Sequence, residues 1–392
     1  MATGLNSFIS SIMAKTIRTI DDPIFGEVKL SLYDKSFQRN KLPFDPNQHM
    51  CCAPFTNLSF NSSGVCWVCC DDWSQYSVGK ITSDTSALDI WLGPQVKAFR
   101  ESILDNSYRY CGEMCPMLTS NNIEGFILPR KQIIERSYSP IPDIALSLDE
   151  SCNLQCPSCR DSKIALLNSD RTAESSFILS DILESFFFSP HNFASTITFD
   201  TCGEVFYSKL YKHFFDNHPF FVNKENWPNV EFVITTNASM LTPKVQNKYH
   251  KILKDTAELI ISLDAGNKES YEKVRYPAKW EVTISNVDYY YNTYMKNNPK
   301  KSSWRWNVIL QKDNYLSIPD MIDLAERKYT ECLPQIWITP ILQWDHFKSG
   351  KYNYDDMAVW DPKHEDYEIL LSVMNSPKVL NYKGALNNSF IK

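Results

Sequence analysis

The 392-residue chain has no long apolar run. Its most hydrophobic stretches, such as Phe186 to Phe188 and Val230 to Ile234, fall far short of the ~18 residues that a membrane-crossing helix requires. It also lacks an excess of positive charge: 40 Lys and Arg stand against 46 Asp and Glu, a formal net charge of -6, which argues against a nucleic-acid or other polyanion binder. The first twenty residues scatter Ser, Lys and Arg among apolar positions, without a continuous apolar core followed by a small-residue cleavage site. No membrane and no export route is therefore expected, and the cytoplasm is the expected compartment. There is no internal repeat and no low-complexity tract. The 43% of hydrophobic residues suffice to fill a sizeable core. At roughly 150 residues per domain, the length fits one large enzyme domain with an appendage, or two domains.

Cysteine, by contrast, is abundant. There are 12, and ten of them lie between Cys51 and Cys159. In a reducing compartment such clustered thiols are explained by metal or iron-sulfur ligation rather than by disulfides.

Downstream of the linker-like stretch Pro129 to Pro142, short apolar runs alternate with helical stretches, the pattern of repeated βα units around a parallel sheet. Six strands are expected, at 144–148, 196–199, 231–235, 259–263, 305–310 and 335–341. Helices are expected over 175–188, 244–255, 282–294 and 319–329. A closed eight-unit barrel needs about 250 residues, and roughly 200 are present, so an α/β fold with a partial (β/α)6 TIM-like barrel over 141–345 is expected. Ahead of it, 49–130 reads as a small cysteine-rich domain with one helix over 86–104, preceded by a lead segment, 1–48. A C-terminal extension, 346–392, holds one helix over 363–374.

Directly after the first barrel strand, Cys152-Asn153-Leu154-Gln155-Cys156-Pro157-Ser158-Cys159 forms a C-x3-C-x2-C loop. Three thiolates hold three irons of a 4Fe-4S cluster and leave the fourth iron without a protein ligand. A closed electron carrier wants four thiolates, whereas an open corner can bind the amino and carboxylate groups of a small molecule. Zinc on these thiols would want a fourth protein ligand or a catalytic water, and no nearby His supplies one.

This loop, at the end of the first strand, resembles that of the radical S-adenosylmethionine (SAM) enzymes. The resemblance implies a cluster on Cys152, Cys156 and Cys159 that binds SAM and cleaves it reductively to methionine and a 5'-deoxyadenosyl radical, which takes a hydrogen atom from the substrate. Further fragments follow in the family's strand order. Cys202-Gly203-Glu204 is similar to its Gly-Gly-Glu turn, with Cys202 replacing the first Gly. Gly203 would let the backbone approach the ligand, and Glu204 would accept hydrogen bonds from the SAM ammonium. Thr235-Thr236-Asn237-Ala238 resembles the end of strand three, which implies that Asn237 lines the cofactor. Ser262-Leu263-Asp264 resembles the Ser-x-Asp of strand four, with Ser262 placed for the ribose or carboxylate and Asp264 beside it. Arg275 fits the Arg that pairs with the SAM carboxylate. Ser158 stands where the family usually has an aromatic or bulky residue beside the adenine.

The stretch from Cys52 to Cys70 reads as two short strands joined by an Asn/Ser/Gly turn, a hairpin that returns Cys52 beside Cys69. Cys111-Gly112-Glu113-Met114-Cys115 follows a helix and completes a four-thiolate set. The hairpin, Gly79-Lys80-Ile81, the Trp91 helix and the closing Cys pair resemble the twitch or SPASM-like auxiliary-cluster modules of radical SAM enzymes, here set ahead of the barrel. The resemblance implies an auxiliary 4Fe-4S cluster on Cys52, Cys69, Cys111 and Cys115, with Cys70 the alternative to Cys69 and with Cys51 and Cys66 as spares. A structural zinc on the same four thiolates is the competing reading.

The function expected from the resemblance is radical modification of a peptide or protein. Oxidation or epimerisation of a sugar or other small metabolite is the alternative, and a non-catalytic zinc-binding interaction protein is a third reading. Asp345 and His346, after the sixth strand, are candidates to take the proton that accompanies substrate oxidation. A flavodoxin or ferredoxin is the expected electron donor.

Overall fold

The computed structural model describes residues 19–29, 42–70, 73–74, 76–112, 115–119, 126–136, 141–166, 170–199, 202–296, 303–343 and 353–388. The chain divides into two compact units, Met1–Ala145 with Ile178–Phe188, and Leu146–Phe177 with Ser189–Lys392.

The first unit is built from short antiparallel pairs. Strand β1 (Thr19–Asp22) pairs with β2 (Gly26–Lys29). After β3 (His49–Cys51) comes one helical turn, Ala53–Thr56, and then the expected hairpin of β4 (Asn57–Asn61) and β5 (Val65–Trp67). Its turn follows from its residues. The Asn61 side chain accepts from the backbone N–H groups of Ser63 and Val65, both at 3.1 Å, and Gly64 takes the left-handed φ of 75° that closes the loop. Strand β6 (Gly79–Lys80) adds to β5, and β7 (Ile127–Pro129) returns to pair with β3, placing Cys51 opposite Ile127.

The single helix expected over 86–104 is two, Ala87–Trp91 and Pro94–Leu104. Pro94 has no N–H to continue the ladder but suits the first turn of a new helix, with Gly93 as its N-cap. The first helix opens on a reciprocal cap, in which Ser86 Oγ accepts from the Asp89 N–H and Asp89 accepts from the Ser86 N–H. The expected linker also contains a helix, Arg130–Arg136. Met50, Phe55, Ile103 and Tyr108 form the buried core of this unit together with Cys52.

The second unit carries a large parallel sheet. Its strands run in chain order: β8 (Asp143–Ser147), whose last two residues open this unit, then β9 (Ser195–Phe199), β10 (Val230–Thr236), β11 (Thr256–Ser262), β12 (Ser303–Leu310), β13 (Gln335–Pro340) and β14 (Leu386–Asn387). Every pairing from β9 to β14 is parallel. β8 to β13 answer the six expected strands. β14, only two residues long, comes from the C-terminal extension and pairs with Ile336 and Trp337. Alternate residues drive the packing: in β10, Val230, Phe232 and Ile234 are buried, and in β12, Trp304, Trp306, Val308 and Leu310. Each such side chain contributes roughly 1.5–3 kcal/mol on burial.

Helices separate the strands. Asp170–Phe187 follows β8; Lys209–Asn217 and Pro219–Val222 follow β9; Pro243–Lys248 and His250–Leu253 follow β10. Lys268–Val274 and Trp280–Tyr290 follow β11, and Ile318–Lys328 follows β12. Because these crossovers keep the strands parallel, all their C-terminal ends lie on one edge of the sheet, where the loops after β8 to β12 meet. Among the described residues, no helix is long and apolar enough to cross a membrane.

Candidate active site

At that edge the chain closes round a cavity of about 160 Å³, lined among others by Cys152, Cys156, Cys159, Asn237, Ser262 and Arg275. The loop after β8 is fixed before any ligand is considered. Leu148 accepts from Ser175 Oγ at 2.9 Å, Asp149 accepts from the Ser151 N–H at 2.7 Å and from Ser208 Oγ, and the Cys152 N–H donates to Ile164 O at 2.8 Å. Each cysteine sulfur then has a side-chain N–H donor of its own. Asn237 Nδ2 stands 3.8 Å from Cys152 Sγ, Arg275 Nη1 is 3.7 Å from Cys156 Sγ, and Arg160 Nε is 3.4 Å from Cys159 Sγ. Donors of this kind stabilise thiolate sulfur carrying negative charge. Without such charge on a ligand, burial pushes the Cys156 thiol up to about 11.

Arg160, which the sequence reading passed over, also ties neighbouring loops. Its guanidinium donates to Glu150 O at 2.9 Å and to Cys202 O. The signal was local, a cation directly following the third cysteine. Ser158, which stands where the family that the loop resembles usually has an aromatic or bulky residue, accepts from Gln311 Nε2 at 3.5 Å, a link from the end of β12 to the cysteine loop.

The turn after β9 lines the cavity at Cys202 and Gly203 and also packs on the cysteine loop. A Cβ on Gly203 would lie 2.4 Å from Ser151 O and 2.7 Å from Asp149 O. What the glycine admits is thus the backbone of the cysteine loop, in addition to any ligand. Glu204 is fully buried and does not line the cavity. Its carboxylate accepts from Thr236 Oγ1 at 2.8 Å, the Asn237 N–H at 2.7 Å and the Phe206 N–H at 3.2 Å, so it braces the end of β10 and thereby Asn237. Burial raises its pKa, against those hydrogen bonds.

Asp264 likewise stays behind the cavity wall. It takes a left-handed φ of 62°, accepts from the Ile309 N–H at 2.8 Å and contacts Arg275 Nε at 2.6 Å. The contact is one of charge rather than an aligned hydrogen bond. Burial raises the Asp264 pKa, with Arg275 opposing; burial also works against the Arg275 charge, which Asp264 and Cys156 restore. Ser262 is half-buried on the wall, and Asp345 and His346 lie outside the described residues.

Wholly within the first unit lies a second, smaller cavity of about 30 Å³, and four cysteines meet there: Cys51, Cys69, Cys111 and Cys115. Gly112 makes this possible, since its N–H donates to Trp73 O at 2.7 Å and a Cβ would press on that oxygen at 2.8 Å. The cavity takes Cys51 where the hairpin reading had favoured Cys52. Cys52 turns into the hydrophobic core, and its carbonyl accepts from the Phe55 N–H and Thr56 Oγ1 at the start of the helical turn. Cys70 is not on the wall; its carbonyl accepts from the Trp73 and Ser74 N–H groups. Cys66 is fully buried on β5, its thiol pushed up to about 12 by burial and donating to Gly79 O at 3.5 Å.

Both donor sets fit iron-sulfur chemistry. Among the described residues no three His, Cys, Asp or Glu side chains gather closely enough to hold one metal ion. Three thiols at one cavity and four at the other are the donor chemistry that iron-sulfur clusters take.

Residues 51–116 match the SPASM family, an iron-sulfur cluster-binding domain. The chain therefore carries a SPASM iron-sulfur domain, and that segment spans all the cysteines from Cys51 to Cys115. No curated protein matches the sequence. Among solved structures, the chain is similar to native anSMEcpe with bound AdoMet and Cp18Cys peptide, at 16% identity and a TM-score of 0.32, over 54% of this chain and 53% of that one. It is also similar to methylornithine synthase (PylB), at 11% identity and a TM-score of 0.31, over 62% and 69% of the two chains. The chain thus spans about half the length of the first of these structures.

Proposed function

We propose that the chain is a radical SAM enzyme, with a SAM-binding 4Fe-4S cluster on Cys152, Cys156 and Cys159 and an auxiliary cluster in the SPASM segment. One observation carries this reading: three cysteines on a loop at the C-terminal edge of a parallel sheet, each sulfur facing an N–H donor, around a cavity that also presents Asn237, Ser262 and Arg275. The unreversed strand order supports a partial barrel as the scaffold, with 49–130 as the auxiliary module, 1–48 leading it and 346–392 following the barrel.

When bound, the cluster supplies the electron that cleaves SAM to methionine and a 5'-deoxyadenosyl radical, which removes a hydrogen atom from the substrate. This chain's residues do the rest. Arg275, half committed to Asp264, offers its remaining N–H groups to the SAM carboxylate. Asn237, held by the Glu204 brace and by Ser239, fixes the wall beside Cys152. Ser262 lies within the same wall to orient the nucleoside.

For the auxiliary cluster we favour Cys51, Cys69, Cys111 and Cys115, because those four share one cavity. The substrate class is read as a peptide or protein, with flavodoxin or ferredoxin as reductant and Asp345 or His346 as the proton acceptor.

Anaerobic reconstitution tests the reading. About eight irons per chain are expected, falling to about four when Cys152, Cys156 and Cys159 are all replaced by Ala. The wild type should release 5'-deoxyadenosine from SAM with dithionite, and the triple variant should not. A protein that binds zinc, shows no cluster absorption and yields no 5'-deoxyadenosine would overturn it.

A further inference from the structure

The second cavity contains a side chain that the cysteine set does not explain. Tyr108 is fully buried and lines the cavity together with Cys51, Cys69, Cys111 and Cys115. The Cys51 backbone N–H approaches its oxygen as a donor, but nothing among the described residues accepts the phenol proton. A buried hydroxyl in that condition is destabilising, and Phe would fill the same space without the cost. The neighbouring Tyr110 shows the ordinary solution, donating to Asp22 at 2.7 Å.

The backbone is constrained to place this ring. Tyr108 has a φ of 47°, the left-handed region, which is an outlier for a bulky aromatic residue. That conformation is held from both sides. The Tyr108 N–H donates to Ser102 O at 2.9 Å, and its carbonyl accepts from the Cys111 N–H at 3.0 Å. The segment that carries Cys111 thus also turns the phenol into the thiol-lined space. Ser74 on the same wall already commits its hydroxyl proton to Tyr76 O at 2.9 Å, and the remaining wall is apolar or sulfur, so the acceptor that best suits the Tyr108 hydroxyl is sulfur bearing negative charge.

We propose that Tyr108 donates its hydroxyl hydrogen bond to the auxiliary cluster, acting as a positioning residue that raises the reduction potential of that cluster. This rests on the reading of the cavity as the auxiliary-cluster site. A hydrogen bond to cluster sulfur favours the more negative, reduced state, which is the direction of the shift.

The experiment uses the full chain with Cys152, Cys156 and Cys159 replaced by Ala, so that only the auxiliary cluster remains. Iron and sulfide are counted, and the midpoint potential is measured by a redox titration followed by electron paramagnetic resonance, with and without Tyr108→Phe. Tyr108→Phe should keep its iron and shift the midpoint potential to more negative values, while Tyr110→Phe leaves it in place. Stripped of iron, the Tyr108→Phe protein should melt no lower than its parent, since an unsatisfied hydroxyl has gone. A variant-free measurement guards against a folding artefact: tyrosine labelled at its hydroxyl oxygen with a magnetic isotope should show hyperfine coupling to the reduced cluster. An unchanged potential, or no such coupling, in protein that holds its iron overturns the role of Tyr108 and leaves the cluster standing. A parent that binds no iron overturns both.

Discussion

Replacing Arg275 by Met tests whether the charge pair behind the cavity wall is a structural support of the site. Arg275 Nε lies 2.6 Å from Asp264 Oδ2, with the two side chains 14% and 3% exposed. Once the guanidinium is gone, the Asp264 carboxylate keeps, among the described residues, only the Ile309 N–H donor. Breaking such a buried pair from one side costs about 3–5 kcal/mol. Spread over a urea dependence of about 2–3 kcal/mol/M, this moves the unfolding midpoint of the second unit by roughly 1–2.5 M. Asp264→Asn in the same background should recover about 2 kcal/mol, because Asn tolerates the left-handed φ and carries no charge. The pH dependence has a definite sign. Burial already raises the folded pKa of Asp264, and losing Arg275 raises it further, so the folded state binds the proton more tightly than the unfolded chain. The deficit of Arg275→Met should therefore be smallest below the unfolded carboxylate pKa and should grow as pH rises through the folded value. Urea titrations of iron-free protein, followed by tryptophan fluorescence at several pH values, provide the measurement. A loss below about 1 kcal/mol, or no relief from Asp264→Asn, would refute the reasoning.

Other outcomes are equally specific. Gly203→Ala should cost the iron of the first cluster only, halving iron per chain, since the added Cβ meets Ser151 O at 2.4 Å and displaces the cysteine loop. Cys51→Ala should remove about four irons, whereas Cys52→Ala should retain them and lower stability instead, as a truncated core residue would. Arg160→Gln should leave the iron count intact and shift the first cluster to a more negative midpoint potential, read by a redox titration, because Cys159 loses a cationic N–H donor.

Much of this was legible along the chain. Compact apolar runs such as Val230 to Ile234 announce buried parallel strands, and a cysteine loop placed at such a strand's end announces the site. The break at Pro94 was missed in the single helix expected over 86–104, although Gly-Pro inside a helical stretch is a boundary signal. The choice between Cys51 and Cys52 was not legible. It depends on which face of β3 meets the cavity, and that is set by pairing with Ile127, about 75 residues away, rather than by any local preference. The same holds for Glu204, whose brace is built from Thr236 and Asn237 on the next strand. The Tyr108 conformation is likewise imposed from outside, by Ser102 and Cys111.

The adjacency of Cys51 and Cys52 makes assembly of the SPASM segment sensitive to a single-residue slip. Cys51 is the last residue of β3 and Cys52, with helical backbone angles, caps the turn that follows, so sliding β3 by one position against β7 would draw Cys52 into the strand and toward the cavity in place of the ligand proposed above. Both arrangements would offer sulfur to incoming metal, so a cluster built before β3 and β7 have zipped together could trap the wrong neighbour. On the ligand set proposed above, correct maturation calls for this three-residue pairing to form ahead of the inorganic chemistry it frames.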